Sequence, residues 1–166
     1  MGTLGVGPQN PQLFRPLDDT QVVVVTITPT QFKAMDGTTG TSPIIVPAQG
    51  PGKAIIPVYT EINMQFPSSG GVAYATGNGS TLLGYDGGGG NITSVFNLGL
   101  TTAMIKLSAS QYGSSLQGYQ ATTVVLATSV INKPLYFTVG LGSVKYVNGN
   151  SPFVITCRYR VITLQP

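Results

Sequence analysis

The sequence predicts an all-β fold, an antiparallel β-sandwich of about eight strands with a jelly-roll-like arrangement. Three features of the chain lead to this prediction. Runs of β-branched residues, such as QVVVVTIT at positions 21–28, favour strands. Polar and apolar residues alternate in EINMQF at 61–66, which indicates a strand with one buried and one solvated face. The 22 glycines and 12 prolines divide the chain into short segments, as turns do in all-β proteins.

Eight segments have the length and pattern of strands, and no segment has the pattern of an amphipathic helix. The predicted strands are residues 21–28, 54–66, 72–76, 80–85, 122–131, 135–139, 143–147 and 153–164. Residues 94–96 form a ninth candidate, and residues 100–107 fit either a helical turn or a strand. Residues 37–53, which surround a short apolar Ile-Ile-Val segment, are predicted to be a loop, and so are residues 108–120.

Three of these segments carry more specific predictions. The β-branched run at 21–28 is expected to be a buried strand that ends at Pro29. Gly77-Asn78-Gly79 is expected to form the turn of a hairpin between residues 72–76 and 80–85. Alternation in the last segment is expected to place five side chains on one buried face, those of Phe153, Ile155, Cys157, Tyr159 and Val161.

The chain divides into an extended, Gly/Pro-rich N-terminal arm at 1–20 and a single β-sandwich domain at 21–166. Prolines in the arm exclude a regular helix or a central strand. Apolar residues within it fit a segment that lies on its own domain or on a neighbouring molecule, and a frayed terminus is an equal alternative. The chain shows no pattern of a secretion signal or a transmembrane helix, so no membrane role is expected.

Charge is scarce and unevenly distributed. Charged residues make up 8% of the chain, against about 25% in ordinary domains. Residues 1–86 hold five acids and three bases, a net charge of −2, whereas residues 87–166 hold five bases and no acid, a net charge of +5. The bases are not clustered, so scattered surface charge is favoured over a nucleic-acid interface, and nucleic acid is not expected as a partner.

The residue types also exclude most catalytic chemistry. The chain has no histidine, which excludes Ser-His, Cys-His and His-metal mechanisms. The acids lack the spacing of a calcium loop, and the glycines at 87–90 lack the Lys-Ser/Thr of a phosphate-binding loop. Cys157, the single cysteine, lies in an alternating segment and is expected to be a buried, unreactive thiol. The chain is therefore expected to have no enzymatic activity, no cofactor and no bound metal.

Four stretches resemble small structural proteins of tailed-bacteriophage virions. They are AIIPVY at 54–59, INMQF at 62–66, a glycine-interrupted segment with two tyrosines at 72–85, and RYRVITL at 158–164. The resemblance covers about residues 54–164 and rests on patterns of residue type. It implies a jelly-roll or related sandwich on the capsid or tail, a decoration or auxiliary role, and a homotrimer. It also implies the major capsid protein or other virion proteins as partners, and assembly in the host cytoplasm.

Two sets of residues are candidates for the functional surface. Contacts with a larger assembly are expected at the arm and on the last strand, through Leu13, Phe14, Arg15, Leu17, Arg158 and Arg160. The alternative function is a receptor- or carbohydrate-binding module of a tail or head fibre, because exposed aromatic rings beside amide-rich loops stack on sugars. Its candidate residues are Tyr74, Tyr85, Tyr112 and Tyr119.

Overall fold

A computed structural model describes residues 20–36, 40–79, 81–85, 94–98, 100–116, 130–140 and 144–164. Within these ranges lie ten strands and two short helices. The strands are β1 (Gln21–Ile27), β2 (Ile44–Val46), β3 (Lys53–Met64), β4 (Tyr74–Thr76), β5 (Thr81–Gly84), β6 (Ser94–Asn97), β7 (Gln111–Leu116), β8 (Leu135–Val139), β9 (Tyr146–Asn148) and β10 (Phe153–Thr163). The helices are α1 (Pro29–Ala34) and α2 (Thr102–Ile105). Neither described helix has the length and hydropathy needed to cross a membrane.

The strands form two four-stranded sheets and one two-stranded sheet. The first sheet has the order β1-β10-β3-β7, the second β2-β8-β5-β6, and the small third sheet pairs β4 with β9. Every pairing is antiparallel. Side chains from both large sheets join one hydrophobic core, which includes Ile155 from the first sheet and Phe137 from the second. The predicted all-β antiparallel sandwich is confirmed.

The pairings of the two large sheets are nested along the chain. β5 pairs with β6, β3 with β7, β2 with β8, and β1 with β10, so each pair encloses the previous one in sequence. Eight strands therefore follow the path of one long hairpin that is folded over on itself. The β4–β9 pair does not belong to this nested set, because β9 follows both β7 and β8.

Helix α1 places an aromatic side chain at the centre of the core. Thr28 caps the helix by accepting a hydrogen bond from the Gln31 backbone, while the Gln31 side chain accepts one from the Thr28 backbone. Pro29 follows at the first helical position, where its fixed φ favours the turn. Phe32 is fully buried, and its ring centroid lies 4.3 Å from that of Phe153 and 5.0 Å from that of Tyr74.

Several local predictions are wrong. The segments at 72–76 and 80–85 contain strands but form no hairpin, since β4 pairs with β9 and β5 with β6 and β8. Residues 108–120 are not simply a loop, because β7 lies within them and pairs with β3. Both errors have one cause: turn residues indicate where a strand ends, whereas its partner depends on distant parts of the chain.

The predicted burial is correct for the last strand, β10, and wrong for the first strand, β1. In β10, Phe153, Ile155, Cys157 and Tyr159 are buried as predicted. Strand β1 exists as predicted, but it is not a buried strand, because it lies at the edge of the first sheet and exposes one face. The predicted strand at 122–131 lies almost entirely outside the described residues, and so does most of the arm at 1–20.

Candidate functional surface

Strand β1 exposes a row of apolar side chains. Val22 and Val24 are 57% and 61% exposed, whereas Val23 and Val25 pack against the core on the opposite face. The strand pairs with β10 without a register shift, from Gln21 opposite Tyr159 to Ile27 opposite Phe153. It is therefore a regular strand whose outward side chains are hydrophobic, an arrangement that is costly in water and typical of contact surfaces.

On the side of the first sheet that faces away from the core, polar residues follow the valines of β1 across β10, β3 and β7. Across the sheet Val22 lies opposite Arg158, which lies opposite Tyr59. The next row runs from Val24 through Thr156 to Glu61. We call this surface, from Val22 and Val24 on β1 to Glu61 and Tyr112 on β3 and β7, the outer face. It combines apolar, aromatic and charged side chains, a mixture common in protein interfaces.

A hydrogen-bonded cluster occupies the β3–β7 half of the outer face. The Tyr59 hydroxyl donates to Glu61 Oε1 at 2.6 Å and lies 3.3 Å from the Tyr112 hydroxyl. The hydrogen bond to Glu61 is the main reason that the pKa of Tyr59 is raised above its ordinary value. Tyr59 donates its hydroxyl proton to Glu61, and Tyr112 presents a ring that is 55% exposed.

The predicted contact residues of β10 differ in their surroundings. Arg158 is exposed, and it lies beside Val22 on the outer face. Arg160 is half-buried, and its Nε is buried without a hydrogen-bond partner in the described part of the chain. The register with β3 shifts between Arg158 and Tyr159, where Val58 of β3 is left without a partner, whereas the alternation along β10 continues. The other predicted contacts lie outside the described residues: Leu13, Phe14, Arg15 and Leu17.

The four tyrosines proposed as sugar-binding residues also differ in their surroundings. Tyr74 and Tyr85 are buried, and their hydroxyls donate to the carbonyl oxygens of Ser151 and Ile55. The prediction that these two rings are exposed is wrong, because they fill the core and satisfy their hydroxyls internally. Tyr112 is exposed on an edge strand, as predicted. Tyr119 lies outside the described residues.

Elsewhere the described residues carry little reactive chemistry. Cys157 is fully buried, as predicted, and desolvation raises the pKa of its thiol. The described residues hold no group of three potential metal ligands among Cys, Asp and Glu. Asp36 forms a 3.3 Å ion pair with the half-exposed Lys145, and it also accepts a hydrogen bond from Thr41. The outer face is thus the strongest candidate for function within the described ranges.

Reasoning from the sequence missed the exposed valines of β1. Four consecutive valines occupy positions 22–25, so both faces of the strand have the same residue type and period-two alternation is not visible. Such a pattern is typical of a strand buried on both faces. Only the position of β1 at the edge of the sheet distinguishes Val22 and Val24 from Val23 and Val25.

Two comparisons by sequence gave no match. No protein-family model matches the chain, and no curated protein matches it in a sequence search. The function is therefore inferred from the fold and from the outer face.

Proposed function

We propose that this chain is a structural protein of a bacteriophage virion, an auxiliary or decoration protein that binds or stabilises the capsid through protein–protein contacts. The observation that carries the proposal is the nested order of eight strands combined with an apolar, uncharged strand at the edge of the sandwich. The proposal assigns the protein no enzymatic activity, cofactor or metal. Its site of action is the virion, after assembly in the host cytoplasm.

The nested strand order supports a jelly-roll assignment for the sandwich. A jelly roll consists of eight strands in two sheets with Greek-key connections, and it results when a long hairpin folds over on itself. The β1–β10, β2–β8, β3–β7 and β5–β6 pairings have this arrangement. Jelly rolls are common in viral capsid proteins and also in lectins, so the fold supports the proposal without selecting between these two classes.

The surface favours an assembly role over that of an isolated domain. Charged residues are scarce throughout the chain, which lowers the desolvation cost when two surfaces meet. Val22 and Val24 supply apolar area, and Arg158 beside them supplies a residue type that is enriched in interfaces. The proposed partners are the major capsid protein or other virion proteins, with residues 1–20 as an anchor and a homotrimer as the favoured assembly.

Composition and mutagenesis of virions test this proposal. Mass spectrometry of purified virions is expected to detect the chain at a fixed ratio to the capsid protein. A version without residues 1–20 is expected to fold, as judged by circular dichroism, but to lose binding to particles. Virions that lack the chain would contradict the structural role, whereas full occupancy by the truncated protein would contradict only the anchor.

The Tyr59–Glu61–Tyr112 cluster supports a second candidate, a receptor- or carbohydrate-binding module of a tail or head fibre. Tyr112 offers an exposed ring, and the Glu61 carboxylate accepts hydrogen bonds. A glycan array with the wild-type protein is expected to give a specific signal under this hypothesis. Tyr112→Ala should remove that signal, and the absence of any signal for the wild type would favour the assembly role.

A further inference from the structure

The four edges of the two large sheets differ in how well they are protected against pairing with another strand. Natural proteins protect sheet edges with short strands, proline, charge, irregular register or a covering segment. β2 has three residues, with a proline on each side and an irregular register with β8. β6 has four residues, and its register with β5 also shifts. These two edges offer little regular backbone to a partner.

The β7 edge has six residues in an unbroken register with β3, but its sequence QYGSSL is mostly polar and has Gly113 near its middle. At Gly113 a Cβ atom would collide with the carbonyl oxygen of Leu98 and lie 3.4 Å from Leu100 Cγ. Leu98 and Leu100 therefore pack closely against the core face of β7, beside Ile62. They leave no space for a side chain at the middle of that strand.

The β1 edge is not short, charged, irregular or interrupted by proline, although β2 comes close to β1. It has seven residues, contains no charge or proline, and keeps an unbroken register with β10. Val22 and Val24 expose more than half of their surface on the outer face. A long, regular, hydrophobic edge is the kind of strand that pairs with another chain.

We propose that β1 is the contact between two copies of this protein, which pair antiparallel across a two-fold axis at Val24. Val24 is the middle residue of β1, so this register places Val24 opposite its own copy and Val22 opposite the partner's Thr26. Each exposed valine then meets a β-branched side chain, a favourable cross-strand combination. The same surface serves on both copies, which is the commonest form of symmetric association.

The charges near β1 are compatible with this pairing. Arg158 lies opposite Val22 near one end of the strand, whereas the uncharged Val154 lies opposite Thr26 near the other end. Antiparallel pairing brings the Arg158 end of one copy beside the Val154 end of its partner. The two arginines are therefore separated along the strands, and like charges do not face each other.

The β1 contact rests on the proposed assembly function and makes a second copy of the chain one of the partners. It predicts an even number of subunits: a dimer, or a hexamer if two of the proposed trimers pair through β1. Sedimentation velocity of the protein at about 1–100 μM, which spans micromolar dissociation constants, is expected to show this species.

A charge at the two-fold axis tests the contact directly. Val24→Lys places two ammonium groups opposite each other and is expected to raise the dissociation constant at least about tenfold, because strands about 5 Å apart cannot separate them. Val144→Lys is the matched control, since Val144 is 58% exposed but lies outside the large sheets. Val144→Lys is expected to retain the oligomeric state of the wild type in sedimentation. Equal effects of both variants would overturn the proposal.

Oxidative cross-linking tests the register. Val24→Cys is expected to form a covalent dimer under mild oxidation, because opposed residues of an antiparallel pair lie within the Cα separation of a disulfide. Val144→Cys should remain uncross-linked, and the native Cys157 is buried. A monomeric wild-type protein without Val24→Cys dimers would overturn the β1 contact. If that monomer still bound virions, the proposed structural role would stand, with the edge assigned to another protein.

Discussion

The ring of Tyr146 packs directly on the α-carbon of Gly77. A Cβ atom at Gly77 would lie 2.5 Å from Tyr146 Cγ and 2.7 Å from Cε1, and the φ of Gly77 is +60°. The opposite end of the β4–β9 pair repeats the arrangement, because the ring of Tyr74 covers Gly149. Each short strand thus supplies a tyrosine that covers the glycine following its partner strand, which stabilises a two-stranded ribbon that would be marginal alone.

The first prediction concerns this glycine–tyrosine packing. Gly77→Ala is expected to lower the free energy of unfolding by about 2–5 kcal/mol, from left-handed backbone strain together with overpacking against Tyr146. Gly70→Ala is the matched control, because Gly70 has a φ of +65° but a Cβ atom there would have no neighbour within 4 Å. The free energy of unfolding of Gly70→Ala should fall by only about 1–2 kcal/mol. Urea unfolding measures both, and equal losses would contradict the packing contribution.

The second prediction concerns the aromatic centre of the core. Phe32→Ala is expected to destabilise the protein by about 3–5 kcal/mol, since it removes a fully buried ring that contacts Phe153 and Tyr74. Tyr112→Ala removes an exposed ring and should cost less than about 1 kcal/mol. Thermal or urea unfolding checks the difference. A small loss for Phe32→Ala would place the centre of the core elsewhere.

The third prediction is a loss of stability at alkaline pH. Burial raises the pKa of Cys157, Tyr74 and Tyr146 above their ordinary values of 9.0 for the thiol and 10.0 for the phenols. The folded state therefore holds these protons more tightly than the unfolded state does. Their contribution to stability is complete below the unfolded pKa values and is lost as pH rises through the folded ones.

Urea unfolding between neutral pH and about pH 10.5 measures this effect, because the range spans the ordinary pKa values of Cys and Tyr. The free energy of unfolding is expected to fall from about pH 9 upward. In Cys157→Ala the fall should begin closer to about pH 10, since only the tyrosines then contribute. A constant free energy of unfolding across the range would contradict the raised pKa values.

The fourth prediction concerns the outer face. Glu61→Gln is expected to lower the pKa of Tyr59 toward its ordinary value of 10.0, because the hydrogen bond to the Glu61 carboxylate is the main cause of its elevation. The ultraviolet absorbance of tyrosinate, followed during an alkaline titration, reports the shift. Asp36→Asn, which removes a carboxylate that pairs with Lys145 and not with the outer face, is the matched control and should leave the titration of Tyr59 unchanged. An unchanged titration of Glu61→Gln would exclude the Tyr59–Glu61 hydrogen bond in solution.

The strands of the sandwich were partly predictable from local pattern. The last four residues of β3 and most of β10 alternate between apolar and polar residues, and their burial follows that alternation. The helix α1 was missed, although Thr28, Pro29 and Gln31 form a recognisable helix start. Its six residues are too few to show helical periodicity, and its formation depends on the burial of Phe32.

The candidate surface was predictable only in part. Arg158 was expected to be exposed from the alternation of the last strand, and Tyr112 from its place in a polar, loop-like segment; both are exposed. The choice of Tyr74 and Tyr85 failed because a tyrosine with a satisfied hydroxyl can be buried as readily as a phenylalanine. No local pattern separates these cases, since the partner of each hydroxyl comes from a distant segment.

By itself the sequence determined that the chain folds as strands, because β-branched residues, alternation and turn residues act over a few neighbouring positions. It also determined that histidine chemistry is excluded, since the chain contains none. Only the tertiary structure decided which strands pair and which strand lies at an edge. That choice depends on contacts between residues far apart in the chain, such as Val24 with Thr156, and it is what leaves Val22 and Val24 on the surface.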